Sequence, residues 1–95
     1  IKPKKNETLS YSKMLKEVKS RCDELGISLI FDKLDNDGGK YKYRNKIYIV
    51  LNKLYDDRHR LKLFFNEISD TEYIERFSDI KEAFMNFENS SDVSA

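Results

Sequence analysis

The five residues from Asn66 to Asp70 (Asn-Glu-Ile-Ser-Asp) have the spacing of a metal-dependent hydrolase motif. On a helix, residues four positions apart share a face, and the motif His-Glu-x-x-His uses this spacing to present two metal ligands beside a general base. Only Glu67 matches that motif, because Asn66 and Asp70 stand at the two histidine positions. Catalytic zinc sites rely on imidazole nitrogen, so we expect no catalytic residue, no metal and no cofactor.

A second candidate for chemistry is the segment from Lys40 to Lys46 (KYKYRNK), in which cations are interleaved with aromatic residues. A strand of this composition can contact phosphates with its cations while its rings stack on bases. Alternatively, the strand buries its two tyrosines on one face and exposes its cations on the other, and this is the interpretation we favour. The candidates for binding a partner are Tyr41, Lys42, Tyr43 and Arg44, together with Arg58 and Arg60, which add positive charge further along the chain.

Three other features have structural interpretations. His59 lies between two arginines in a charged segment, which is typical of a surface histidine. Cys22 falls among apolar residues at helical spacing, which favours a buried structural thiol over a nucleophile. The segment 35–38 (DNDG) is similar to the start of a calcium loop but lacks the liganding Glu, so we interpret it as a turn.

The elements that position these residues follow from the apolar pattern. From Leu9, apolar residues at spacings of three and four predict a helix that ends at Gly26. The β-prone segments 27–34 and 46–51, with a strand at 40–43 between them, are separated by turn signals at 35–39 and 44–45. We therefore predict a three-stranded antiparallel meander.

A second helix is predicted between Leu54 and Asp70, with Asp56 or Asp57 as its N-cap. Its apolar residues follow the i, i+3, i+4, i+7 pattern of a half-buried helix; they are Leu61, Phe64, Phe65 and Ile68. On such a helix His59, Asn66 and Asp70 would share the polar face.

A third helix is predicted after the capping-box spacing at 69–72, with an apolar stripe that continues to about Phe87. The predicted order is α-β-β-β-α-α, an α+β domain in which helices cover one face of a three-stranded antiparallel sheet. Within the 95 residues we expect a flexible basic N-terminal arm at 1–8, a single domain at 9–88 and a flexible C-terminal tail at 89–95.

Charge and composition narrow the function classes. The net charge of +1 argues against a protein that wraps DNA, which would be strongly basic. It also argues against a protein that mimics DNA, which would be strongly acidic. The charge is uneven, because residues 1–21 hold seven basic and two acidic residues, whereas 67–95 hold two basic and eight acidic ones. The two ends could pair across the fold or face different partners. A single cysteine and the lack of a long apolar run favour a reducing cytoplasm and no membrane association.

The chain from Leu9 to Asp70 resembles the N-terminal half of the ImmA/IrrE family of metallopeptidase-like proteins. The resemblance is carried by a helix ending in ELGI, the loop DGGKY, the strand KIYIVLN and the segment LYDDRHRLKLFFNEISD. In that family a strand ending in Asn leads to a helix carrying His-Glu-x-x-His, and an acidic residue on a later helix is the third ligand. This chain shows no clear counterpart of that third ligand, and Glu82 and Glu88 are the acidic residues that stand nearest to such a position. The resemblance thus implies a metallopeptidase scaffold with a degenerate motif.

The sequence leaves three functions open. The first is a non-catalytic interaction protein, a regulator or inhibitor of the phage or mobile-element type that the resemblance implies, which binds a host or phage protein. The second is a small nucleic-acid-binding module that uses the Tyr/Lys-rich hairpin. The third is a metal-dependent peptidase with an atypical site. We favour the first, because of the degenerate motif and the small net charge.

Overall fold

A computed structural model describes residues 10–94, with side chains as far as residue 89. The α+β class and the predicted order of elements are confirmed. The elements are α1 (Tyr11–Leu25), β1 (Ser28–Asp32), β2 (Gly38–Tyr43), β3 (Lys46–Asn52), α2 (Asp57–Ile68), a short 3-10 helix (Ile74–Phe77) and α3 (Ser78–Ser94). The predicted N-terminal arm at 1–8 lies outside the described residues. Within residues 10–94, no helix is long and apolar enough to cross a membrane.

Helix α1 ends at Gly26 as predicted, and it begins at Tyr11, two residues after the predicted start at Leu9. Ser10 is the N-cap, because its Oγ accepts a hydrogen bond from the backbone N–H of Lys13 at 3.1 Å. Gly26 ends the helix in the left-handed conformation, with φ 79°, which glycine adopts without steric cost. The apolar stripe is buried, with Met14, Leu15, Val18 and Cys22 at its centre.

The sheet is mixed, so the predicted antiparallel meander is wrong. Its strand order is β1-β3-β2, in which β3 pairs in parallel with β1 and antiparallel with β2. Strand β3 is the most apolar of the three, and its Ile49 and Leu51 are 0% and 1% exposed. Edge strands tolerate charged side chains better than central ones. The lysine-bearing β2 therefore lies at an edge, and the apolar β3 takes the centre.

The side chain of Asn52 anchors the loop that connects β1 to β2. This loop crosses the end of β3 at Asn52. The side chain is buried, and its Nδ2 donates hydrogen bonds to the backbone oxygens of Leu34 and Asn36 at 3.0 and 2.8 Å. Its Oδ1 accepts a hydrogen bond from the backbone N–H of Leu54 at 3.0 Å. These three bonds satisfy the buried amide. The Asn that contributes to the family resemblance thus has a structural role here.

The helices cover one face of the sheet, which we call the inner face. Helix α1 contacts β1, and α2 contacts β3, while α3 packs against α1. Aromatic rings fill the space between the helices, with Phe64 5.0 Å from Phe77 and Phe65 5.4 Å from Phe84 between ring centroids. The buried stripe of α2 is the predicted one, so the orientation predicted for this helix is confirmed along its apolar side.

Helix α2 ends at Ile68 and not at Asp70. Just after it, Ser69 Oγ donates a hydrogen bond to the carbonyl of Asn66, and Thr71 Oγ1 donates one to the carbonyl of Ile68, both at 2.8 Å. These hydroxyls satisfy carbonyls that have no helical partner. Because Asp70 lies beyond the helix, the prediction that it shares a helical face with Asn66 is wrong.

The remaining helix boundaries differ moderately from prediction. Asp56 is the N-cap of α2, and its side chain accepts a hydrogen bond from the backbone N–H of His59 at 2.9 Å. The third predicted helix is divided into the 3-10 helix and α3. Helix α3 continues to Ser94, past the predicted end near Phe87 and into the predicted tail.

Two arginines, one on each of α1 and α2, form ion pairs with carboxylates of α3, and one of them, Arg21, belongs to the basic first segment of the chain. Arg21 of α1 donates two hydrogen bonds to the Asp79 carboxylate of α3, at 2.6 and 2.8 Å. Arg58 of α2 likewise donates two to Glu88 of α3, at 2.7 and 2.8 Å, and the Tyr11 hydroxyl donates a further one to Glu88. Bidentate Arg–carboxylate pairs are geometrically specific, so α3 is joined to both other helices through its carboxylates.

We expect these pairs to make stability fall on acidification. Hydrogen bonds from Arg21 lower the pKa of Asp79 to about 2, and those from Arg58 lower the pKa of Glu88. Such groups stabilise the fold fully above their unfolded pKa and lose that contribution as the pH falls through their folded pKa. The urea midpoint should therefore drop between roughly pH 5 and pH 2, and by less in Asp79→Asn. Equal pH dependence in the variant and the wild type would contradict this role for Asp79.

Candidate binding surface

The side of the sheet opposite the helices, which we call the outer face, forms a contiguous patch. Strand register places its residues in neighbouring rows. They are Ile30 beside Val50, Tyr48 beside Tyr41, and Lys46 beside Tyr43. The side chains of Ile30, Tyr41 and Tyr43 are 37%, 51% and 55% exposed. Adjacent exposed apolar and aromatic residues commonly mark an interaction site.

The hairpin tyrosines point the opposite way from our prediction. Tyr41 and Tyr43 lie exposed on the outer face, whereas the alternating Lys40 and Lys42 line an open cavity of about 460 Å³ on the inner side of β2. Tyr41 stacks on Tyr48 across the strands, with ring centroids 4.9 Å apart and an interplanar angle of 7°. The prediction of buried tyrosines fails because the inner side of β2 meets this cavity and not the apolar core. Lysine side chains are compatible with a solvent-accessible cavity, because the aliphatic stem packs against its wall while the ammonium group reaches solvent.

The cavity beneath β2 is bridged by an ion pair. Lys40 Nζ donates a hydrogen bond to Asp70 Oδ1 at 2.6 Å, and this contact lowers the pKa of the Asp70 carboxyl. Thr71, Glu72 and Tyr73 form the opposite wall, on the connection between α2 and the 3-10 helix. One position of the degenerate motif is therefore already engaged by a cation of this chain.

The turn between β2 and β3 has an unusual residue in a left-handed conformation. Arg44 and Asn45 have φ angles of 54° and 65°, as a two-residue type I′ turn requires. The predicted turn is confirmed, but Arg in this conformation costs about 1 to 2 kcal/mol. The Arg44 guanidinium lies 5.3 Å from the Tyr43 ring, and Lys46 Nζ lies 5.8 Å from the Tyr48 ring. Both cations thus border the outer face.

The structure does not bring Arg58 and Arg60 together with the hairpin. Both lie at the start of α2, and Arg58 is paired with Glu88. Arg60 Nη2 donates a hydrogen bond to the backbone oxygen of Lys53 at 2.6 Å, and its guanidinium lies 5.2 Å from the Phe31 ring. Within the described residues, these two arginines therefore have contacts that stabilise the fold.

The three positions of the degenerate motif do not converge on one point. Asn66 borders a depression of about 260 Å³ between α2 and α3, Asp70 borders the cavity beneath β2, and Glu67 borders neither. A bound zinc needs its ligands about 2.0 to 2.3 Å away from a common centre. Among the described residues, no group of three or more His, Cys, Asp and Glu could hold a metal ion. These residues do not fit the zinc that the family resemblance implies.

The other two candidates have the structural environments that the sequence predicts. His59 is exposed and stacks on Tyr55, with ring centroids 4.1 Å apart. Cys22 is 0% exposed, and burial raises the pKa of its thiol to about 12. The thiol therefore stays protonated at neutral pH, which disfavours a nucleophilic role.

Sequence reasoning missed half of the outer face. Ile30, Tyr48 and Val50 are not among the predicted partner residues, although they lie beside Tyr41 in the sheet. Alternation along a strand assigns residues to two faces but does not show which face the helices cover. The parallel pairing of β1 with β3, which brings Ile30 to this patch, has no local sequence signal.

Comparison of the chain with models of protein families, with curated proteins and with solved structures gives no match. The relationship to the ImmA/IrrE family is therefore a hypothesis that rests on the residues quoted above.

Proposed function

We propose that this protein is a non-catalytic interaction protein, a cytoplasmic regulator or inhibitor of phage or mobile-element type that works by binding a host or phage protein. The binding surface in this proposal is the outer face of the sheet. The phage or mobile-element setting rests on the family resemblance alone.

The observation that carries the proposal is the exposure of this face. Tyr41 and Tyr43 are each more than half exposed, and Ile30 and Val50 extend the patch across all three strands. Tyrosine and arginine are the residue types that most often anchor protein interfaces. An apolar centre bordered by Arg44 and Lys46 has the usual anatomy of such an interface.

The degenerate motif supports a non-catalytic role. The Asp70 carboxylate is engaged by Lys40, and Asn66 lies at a separate depression. A carboxamide and an ion-paired carboxylate are poor substitutes for two imidazole ligands. A hydrolase would therefore need a site assembled differently from that of the family it resembles.

We predict that the purified protein carries no stoichiometric zinc, because Asn66, Glu67 and Asp70 do not surround a common centre. Elemental analysis after gel filtration in metal-containing buffer measures this directly. Retention of about one zinc per chain, the content of a mononuclear catalytic site, would contradict the prediction if Glu67→Ala abolished it.

Affinity capture tests the proposed surface. The bait is wild-type protein, an outer-face variant (Ile30→Ser/Tyr41→Ser) or a matched control (Leu54→Ser/Met85→Ser). The control removes two other exposed apolar side chains, which are 63% and 53% exposed. We expect the wild type and the control to capture the same partner protein in equal amounts. The outer-face variant should not capture it. Capture that survives in the outer-face variant would reject this surface.

A nucleic-acid-binding module is the second candidate, favoured by one observation. Lys42, Arg44 and Lys46 have no acidic partner among the described residues, and the exposed tyrosines of the outer face lie beside Arg44 and Lys46. Affinity for nucleic acid would fall steeply with salt, because each phosphate contact releases condensed counterions. Gel shifts at two salt concentrations, with wild type and Lys42→Glu/Arg44→Glu, test this alternative. Micromolar or tighter binding at physiological salt, lost in the double variant, would favour nucleic acid.

A further inference from the structure

The distribution of apolar and charged residues on the outer face indicates the chemistry of its partner. Its centre is apolar, with Ile30, Val50 and the stacked rings of Tyr41 and Tyr48. Arg44 and Lys46 lie at the end with the β2–β3 turn. At the other end lies Asp32, paired in register with Asn52, and the exposed Lys33 and Lys53 adjoin it.

The cations at the turn lack carboxylate partners in the described part of the chain. Arg44 and Lys46 contact the tyrosine rings of the outer face, whereas most other arginines of the described chain pair with acids. A cation over a ring keeps its donors free. These two side chains can therefore donate hydrogen bonds to carboxylates while they remain in contact with the apolar centre.

The backbone at Arg44 gives an independent indication. A type I′ turn favours Asn or Gly at this position, yet the chain holds Arg there with φ 54°. Strain of this kind is characteristic of functional positions, where the side chain is needed despite its effect on stability. Among the residues that the structure describes, the contact given for this guanidinium is with the exposed Tyr43 ring.

Size and charge distinguish the kinds of partner. Three strands about 4.8 Å apart present a face of roughly 300 Å², well below the ~800 Å² per partner of a stable interface between globular proteins. A short extended segment would fill this face. A nucleic-acid strand needs a row of cations for its phosphates, whereas the strands place only Lys46 beside the apolar centre and Arg44 at the turn.

Building on the proposed function, we propose that the outer face binds an acidic segment of the partner protein. An apolar side chain of that segment packs over Ile30 and Tyr41, and its carboxylates accept hydrogen bonds from Arg44 and Lys46. The charged end fixes the direction of the segment along the strands, and the apolar centre supplies the contact area.

Peptide titration with the full chain tests this inference. The probe is a labelled peptide with a Leu-Phe pair flanked by glutamates, and the comparison probes are the same peptide with lysines and an oligothymidine strand. We expect the acidic peptide alone to shift the amide resonances of Ile30, Tyr43, Arg44 and Lys46. Absence of these shifts at peptide excess, equal binding of the lysine peptide, or preferential binding of oligothymidine would each overturn the proposal.

Two matched variants show whether the cations act through their side chains. Arg44→Asn/Lys46→Gln removes the two cations, and its Asn suits the turn, so thermal stability should not fall. The control, Lys16→Gln/Arg76→Asn, removes two exposed cations from the helical layer. We expect the first variant to bind the acidic peptide about tenfold more weakly, and the control to bind it like wild type. Equal affinities in all three proteins would overturn the assignment.

Affinity capture with both outer-face variants distinguishes a failure of this inference from a failure of the proposed function. If the captured protein is lost with Ile30→Ser/Tyr41→Ser but retained with Arg44→Asn/Lys46→Gln, the surface is right and the acidic chemistry is wrong. If both variants retain it, the outer face is not the binding surface.

Discussion

Replacing Gly38 with alanine is expected to lower the free energy of unfolding by about 3 to 5 kcal/mol, among the largest effects of single substitutions. Gly38 opens β2 with φ 113°, a conformation that side-chain-bearing residues rarely adopt. An added Cβ would lie 2.0 Å from the carbonyl oxygen of Val50. That oxygen belongs to the backbone of the central strand, which cannot shift without disturbing its pairing with both neighbours. Urea denaturation monitored by circular dichroism measures the loss.

Gly39 provides the matched control for this substitution. It is the next residue in the same strand, its φ is not in the left-handed region, and a Cβ there meets nothing within 4 Å. Gly39→Ala should therefore change stability by less than about 1 kcal/mol. Similar losses at both glycines would mean that β2 does not approach β3 as described.

Replacing Phe64 with alanine is expected to cost about 3 to 5 kcal/mol, because it removes a fully buried ring and leaves a cavity. Phe64 is 0% exposed and makes edge-to-face contacts with Phe65 and Phe77, at centroid distances of 5.7 and 5.0 Å. It joins α2 to the 3-10 helix. The same denaturation assay measures the effect.

Asn66→Ala on the opposite side of α2 is the control. Asn66 is exposed, and surface substitutions of this kind usually stay within about 0.5 kcal/mol. A greater loss at Asn66 than at Phe64 would mean that the helix buries its polar side, and a buried polar site at the motif positions would then become the leading interpretation.

The helices could be predicted from the sequence because their signals are local. Gly26 marks the end of α1, and the spacing of Leu61, Phe64 and Ile68 identifies the buried side of α2. The strand order could not be predicted in the same way. Pairing β1 with β3 depends on the burial of the most apolar strand at the centre, which is a property of the whole sheet.

In the candidate site, too, some features have a local sequence signal and others depend on the whole fold. The interleaved residues from Tyr41 to Arg44 could be identified as a surface for binding, since their composition is unusual. Which of them face outward depends on the cavity beneath β2, and the end of α2 at Ile68 depends on hydroxyl groups that compete with the helix. Neither feature has a periodic signal, so the sequence pattern alone predicts the wrong positions for the tyrosines and for Asp70.

Hydrogen–deuterium exchange of the protein with and without its captured partner tests the central claim most directly. If the outer face is the binding surface, slowed exchange should be concentrated in the three strands and the turn at Arg44, with α1 and α3 unchanged. Slowed exchange confined to the helices, with the hairpin exchanging as in the free protein, would contradict the account.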